Sequence, residues 1–138
     1  MPLDPLAGPG YPALVALSKA VDADSPLPPG LLELVRLRCS QLNGCTYCIR
    51  LHTRQALEAG ERRVDIVAQH RTHPSFSRPE RSALALGEAV TLIHDGHLPE
   101  EVLTAAVADH GESGAQSLIW ISLITNAFNR LAISTRLA

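Results

Sequence analysis

Aromatic side chains are scarce in this 138-residue chain: two Phe, two Tyr and one Trp, beside a single Met. A core with so few large rings must be built from Leu, Ala, Val and Ile, a composition that favours helices. A bias of charge is also missing. A net charge of −2 and a pI near 6.3 give no electrostatic footing for nucleic acid or an anionic membrane. The N-terminus lacks a basic region followed by an apolar run and a cleavage site, so no signal peptide is expected. The longest apolar region, Leu118 to Phe128, is too short and too interrupted to span a bilayer. Three cysteines are an odd number and too few for a secreted disulfide scaffold. These absences describe a soluble, cytoplasmic protein with no membrane or nucleic-acid partner. At 46% hydrophobic residues the chain nevertheless carries surplus apolar surface, of the kind that other subunits cover.

What is present centres on Cys45-Thr46-Tyr47-Cys48-Ile49-Arg50-Leu51-His52. Asn43-Gly44 before it is a helix stop and turn, and Ile49 to Ala59 after it favours a helix closed by Gly60. Cys45 thus falls near a helix N-cap and Cys48 in the first turn. Unpaired N–H groups and the positive end of the helix dipole there favour a thiolate. His52 lies one turn beyond Cys48 on the same face, so an imidazole can serve the sulfur. Cys48, Leu51, His52, Gln55, Ala56 and Ala59 form one stripe, turned inward or toward an interface.

The rest of the chain reads as helices. Residues 1–10 form an arm with three prolines, and residues 11–138 form one helical domain. Helices are expected over Pro12 to Ala23 and Leu31 to Leu42, the second with Leu31, Leu32, Val35, Cys39 and Leu42 as its apolar stripe. Glu33 and Ser40 fall on its opposite side. A short helix is expected from Glu61 to His70. Ser77-Arg78-Pro79-Glu80 is a capping box opening a helix to about His94. Another helix runs from Pro99 to about His110. After Gly111 and Gly114 a long apolar helix covers about Ala115 to Leu131. With no strand alternation and no repeat, the fold class is all-α, a single-domain bundle of six to seven helices.

Glu33, Ser40, Asn43, Cys45, Tyr47, Cys48, His52 and Gly60, in this order and spacing, resemble the alkylhydroperoxidase D-like branch of the carboxymuconolactone decarboxylase family. Phe76 to Thr91 is similar to the family's next core helix, and Asn126 to Leu131 to its closing motif. The resemblance covers roughly Pro28 to Arg136. It implies an oligomeric helical fold, trimeric or hexameric, and a thiol-dependent peroxidase or disulfide oxidoreductase without a cofactor. It further implies Cys48 as peroxidatic thiol, Cys45 as resolving thiol, His52 as base and Glu33 as its partner, paired through water. The implied partners are a hydroperoxide substrate and a thiol or dihydrolipoyl-type reductant protein. Tyr47 departs from the pattern, standing where the better-studied peroxidases often carry a second histidine. Decarboxylase members of the family generally lack the cysteine pair, which argues against lactone decarboxylation.

On the residues alone, exposure at the helix start favours Cys45 as the more activated thiol and the easier point of exchange. Proximity to His52 favours Cys48, the choice that agrees with the resemblance. An oxidised Cys48 would condense with Cys45 to a disulfide. The alternative function is a zinc-binding or redox-sensing oligomer without peroxide turnover, with Cys39, Cys45, Cys48 and His52 as nominal ligands. Cys39, however, follows the apolar stripe of the preceding helix and is expected in the core. Haem attachment fails because Ile49 follows Cys48. His70, His73, His94, His97 and His110 read as surface residues. Asn126, Asn129 and Arg130 are polar positions on an apolar helix, expected to hold the fold or a subunit contact together.

Overall fold

Proline and glycine set most of the boundaries. The structure, a computed structural model, describes residues 1–138 and contains five α-helices and no strand. They are α1 (Gly10–Asp24), α2 (Pro29–Asn43), α3 (Thr46–Glu58), α4 (Arg78–Thr91) and α5 (Glu100–Ser134). Pro28 caps α2 and Pro29 occupies its first turn, where a missing N–H costs nothing. The helix therefore starts two residues before the expected Leu31. At α4 the expected capping box is formed: the Glu80 N–H donates to Ser77 Oγ at 3.3 Å and the Ser77 N–H to Glu80 Oε1 at 2.8 Å. That helix stops at Thr91, three residues short of His94.

Two differences account for five helices rather than six or seven. Glu61 to His70 is not an α-helix but two 3-10 turns, Arg63–Asp65 and Val67–Gln69. Val64, Ile66 and Val67 all touch the core from it. Such close spacing suits tight turns, and β-branched residues are weak α-helix formers. The two helices expected on either side of Gly111 abut without an intervening loop. Gly111 alone leaves helical geometry, with φ 75° and ψ 170°, and the chain resumes as helix at once.

The core is aliphatic, as the shortage of rings requires. Leu34, Val35, Leu37 and Cys39 of α2 meet Ala83, Leu84 and Leu86 of α4 and Ala115 and Leu118 of α5. Helix α2 is the shared element, packing on α3, α4 and α5, while α1 lies along α5. Leu34 and Leu37 lie outside the expected stripe of α2 yet are fully buried, because neighbours cover this helix on more than one side. Ser40 is also fully buried rather than on an outer face. No helix is long and apolar enough to cross a membrane. The arm before α1 is tied to the other terminus by the Leu3 N–H donating to the Thr135 carbonyl at 3.0 Å.

Candidate active site

The turn between α2 and α3 is built by Gly44 and pinned by asparagines. Gly44 takes φ 70°, a left-handed conformation that closes α2 and reverses the chain into Cys45. Just before it, Asn43 Nδ2 donates to Asn126 Oδ1 at 2.9 Å and to Asn129 Oδ1 at 2.8 Å, both on α5. Asn126 Nδ2 donates onward to Thr91 Oγ1 on α4, and Asn129 Nδ2 to Ser40 Oγ on α2. The polar positions of the long helix thus hold the cysteine turn against the bundle.

Cys45 is the N-cap of α3, as expected, and its sulfur accepts from the Cys48 N–H at 3.3 Å. The two cysteines are joined by a disulfide, with Cα atoms 5.2 Å apart. Their exposures overturn the expectation that Cys45 is the open thiol: Cys45 is 2% and Cys48 4% exposed. Access comes from one side. Cys48, but not Cys45, lines a cavity of about 650 Å³ beneath the arm and the C-terminal residues.

The same cavity is lined by His52, Glu33, Arg36 and Tyr47, with Leu6, Tyr11, Leu51, Ile124 and Phe128 among its apolar walls. His52 Nδ1 lies 3.1 Å from Glu33 Oε2, so the pair is direct and needs no bridging water. Both side chains are only 13% exposed, and Glu33 is not the solvated carboxylate that periodicity suggests. Burial alone would raise the Glu33 pKa. The hydrogen bond from His52 and the nearby Arg36 guanidinium outweigh it and hold the carboxyl below its ordinary range. An ionised carboxylate only accepts, so Nδ1 is assigned as the donor, and in the neutral ring that leaves the lone pair on Nε2. Arg36 Nη1 donates to Glu33 Oε1 at 2.7 Å. Its i,i+3 placement from Glu33 is a signal the sequence does carry.

Cys39 lies apart from the pair, fully buried with its sulfur 3.7 Å from the Gly87 carbonyl. No three metal-ligating side chains converge, so the four nominal zinc ligands are not assembled. His94 and His97 are exposed, whereas His73 and His110 are half-buried and His110 Nε2 is 2.7 Å from the Pro79 carbonyl. His70 departs furthest from expectation. It is 1% exposed, with Nε2 3.2 Å from Glu88 Oε1, an ion-pair distance without hydrogen-bond alignment. Glu88 is also bonded by Arg38 at 2.7 Å and Arg71 at 3.1 Å, a second charged cluster remote in sequence that no spacing announces.

Comparison with known proteins bears on the family and the fold. An uncharacterized protein of Bacillus subtilis, YdfG, is 34% identical over 104 residues, covering 74% of this chain and 71% of its own. A crystal structure of an Agrobacterium tumefaciens protein of unknown function, proposed to be the antioxidant defence protein AhpD, superposes with a TM-score of 0.88. It is 24% identical, and the match covers 94% of this chain and 89% of that one, which establishes a shared fold. The sequence pattern of the carboxymuconolactone decarboxylase family matches residues 10–89, and the chain belongs to that family.

Proposed function

We propose that the protein is a thiol-dependent peroxidase of the alkylhydroperoxidase D type, cycling Cys45 and Cys48 between dithiol and disulfide. The observation that carries this reading is the one-sided access: of the two sulfurs only Cys48 lines the cavity that His52 and Glu33 also line. In the reduced protein His52 Nε2 takes the Cys48 proton, and the thiolate attacks the outer peroxide oxygen. The O–O bond breaks, Cys48 becomes a sulfenic acid, and the alkoxide leaves with the proton from His52. The Cys45 thiol then attacks the Cys48 sulfur, forming the disulfide and releasing water. A dithiol of the dihydrolipoyl class resets the enzyme, its own sulfurs becoming a disulfide as two protons and two electrons pass to the cysteines. The geometry favours attack at Cys48 from the cavity. Cys45 then leaves as a thiolate capped by the Cys48 N–H and the start of α3. Leu17, Trp120 and Leu123, all exposed, support assembly into a homo-oligomer.

The test is to mix reduced protein with hydrogen peroxide or an organic hydroperoxide and count free thiols. Two thiols per chain should be lost, restored by a dithiol, with Cys39 untouched. Cys48→Ser should abolish the loss; Cys45→Ser should stop at a sulfenic acid on Cys48 that a dimedone-type reagent traps. Thiol oxidation at an unchanged rate in Cys48→Ser would overturn the assignment of roles. An unreactive wild-type pair would overturn the function.

A further inference from the structure

We infer that Arg36 is a positioning residue for His52, acting through Glu33 and anchored in turn by Asp22, a role that rests on the proposed thiol chemistry. Glu33 divides its two carboxylate oxygens. Oε1 accepts from Arg36 Nη1 at 2.7 Å, and Oε2 faces His52 Nδ1 at 3.1 Å. The other amino group of the guanidinium donates to Asp22 Oδ1 on α1. Four charged or titratable side chains from three helices thus form one line, Asp22–Arg36–Glu33–His52. Arg36, Glu33 and His52 are each about nine-tenths covered, while Asp22 is 44% exposed at the outer end.

The physical need for Arg36 follows from geometry and charge. A carboxylate at the end of two methylene groups can rotate, and a planar guanidinium that holds one oxygen fixes the direction of the other. Fixing that direction fixes the imidazole, with hydrogen on Nδ1 and the lone pair on Nε2, the arrangement in which the free nitrogen can take the Cys48 proton. Charge acts the same way. The charged groups that line the cavity are Asp22 from α1 and Glu33 and Arg36 from α2, beside His52 and Cys48 of α3; α5 lends it no charge. Without Arg36 two uncompensated carboxylates remain in that wall. They would repel each other and leave Glu33 free to turn away from Nδ1.

The experiment is long-range proton–nitrogen NMR of the His52 ring in the reduced protein at mildly alkaline pH, paired with the rate of thiol oxidation by hydroperoxide. The wild type should show hydrogen on Nδ1. Arg36→Gln should mix the tautomers and slow oxidation by about ten- to a hundred-fold. Arg36→Lys, which restores the charge and one donor, should recover the tautomer and most of the rate. Asp22→Asn, at an exposed position where folding is safe, should give an intermediate mixture. An Arg36→Gln protein that keeps hydrogen on Nδ1 while only its melting temperature falls would reduce Arg36 to a structural brace and overturn the inference. If no variant or wild type consumes peroxide, the peroxidase reading fails, yet the ring signals still decide the role of Arg36.

Discussion

Replacing Glu88 by glutamine removes one charge from the centre of the α2–α4 contact and keeps its shape. The carboxyl of Glu88 is 10% exposed and faces Arg38, Arg71 and His70. Burial would raise its pKa, but the His70 ring at ion-pair distance and the hydrogen bonds from Arg38 and Arg71 prevail and bring it from an ordinary 4.5 to about 2. Glutamine mimics the protonated acid, so the cost of Glu88→Gln near neutrality should equal the stabilisation that ionisation provides, about 3 kcal/mol. An independent route, the cost of removing one partner of a buried ion pair, gives about 3–5 kcal/mol. For a chain of this length about 3 kcal/mol corresponds to a fall in Tm of about 10 °C. The sign with pH is also fixed. A depressed carboxyl contributes fully above its unfolded pKa of 4.5 and loses its contribution as pH falls toward about 2. The wild-type advantage should therefore shrink to about 1.5 kcal/mol at pH 3. Urea unfolding of both proteins at pH 7 and pH 3 measures this. Equal stability at pH 7, or a difference that stays constant with pH, would refute the reasoning.

Two further substitutions probe how the fold supports the site. Asn129→Ala removes two side-chain hydrogen bonds of a fully buried residue and leaves a small cavity, and should cost about 2–4 kcal/mol in urea unfolding while slowing oxidation of the cysteine pair; wild-type stability would mean the Asn43 anchor is dispensable. Gly111→Ala should cost about 1–3 kcal/mol in thermal unfolding through backbone conformation alone, since an added Cβ meets nothing within 4 Å; an unchanged Tm would show that the break in α5 does not require this conformation.

The helical class, the order of elements and the cysteine motif were legible in the sequence because they depend on neighbours. Pro28, Gly44, the Ser77–Glu80 box and Gly111 act over a few residues, and the three-residue spacing of Cys45 and Cys48 puts both at one helix start. His52 at i+4 from Cys48 follows from helix geometry in the same way. Other features depend on which helices meet, and local spacing holds no trace of that. Periodicity placed Glu33 in water, but α3 brings His52 onto it. Asp22 reaches Arg36 only because α1, packed along α5, brings its last turn near α2, and His70 is buried only because its turn packs beside Glu88. The exposure of the two sulfurs belongs to the same group. A helix start is open by default, yet the arm, the C-terminal residues and α5 build a chamber that Cys48 lines and Cys45 does not. Which chemical groups are present, and which stand one turn apart, follows from the order of residues alone. Tertiary packing decided which of them are dry, which are paired, and from which side the thiol can be reached, because burial and charge pairing are set by groups distant in the chain.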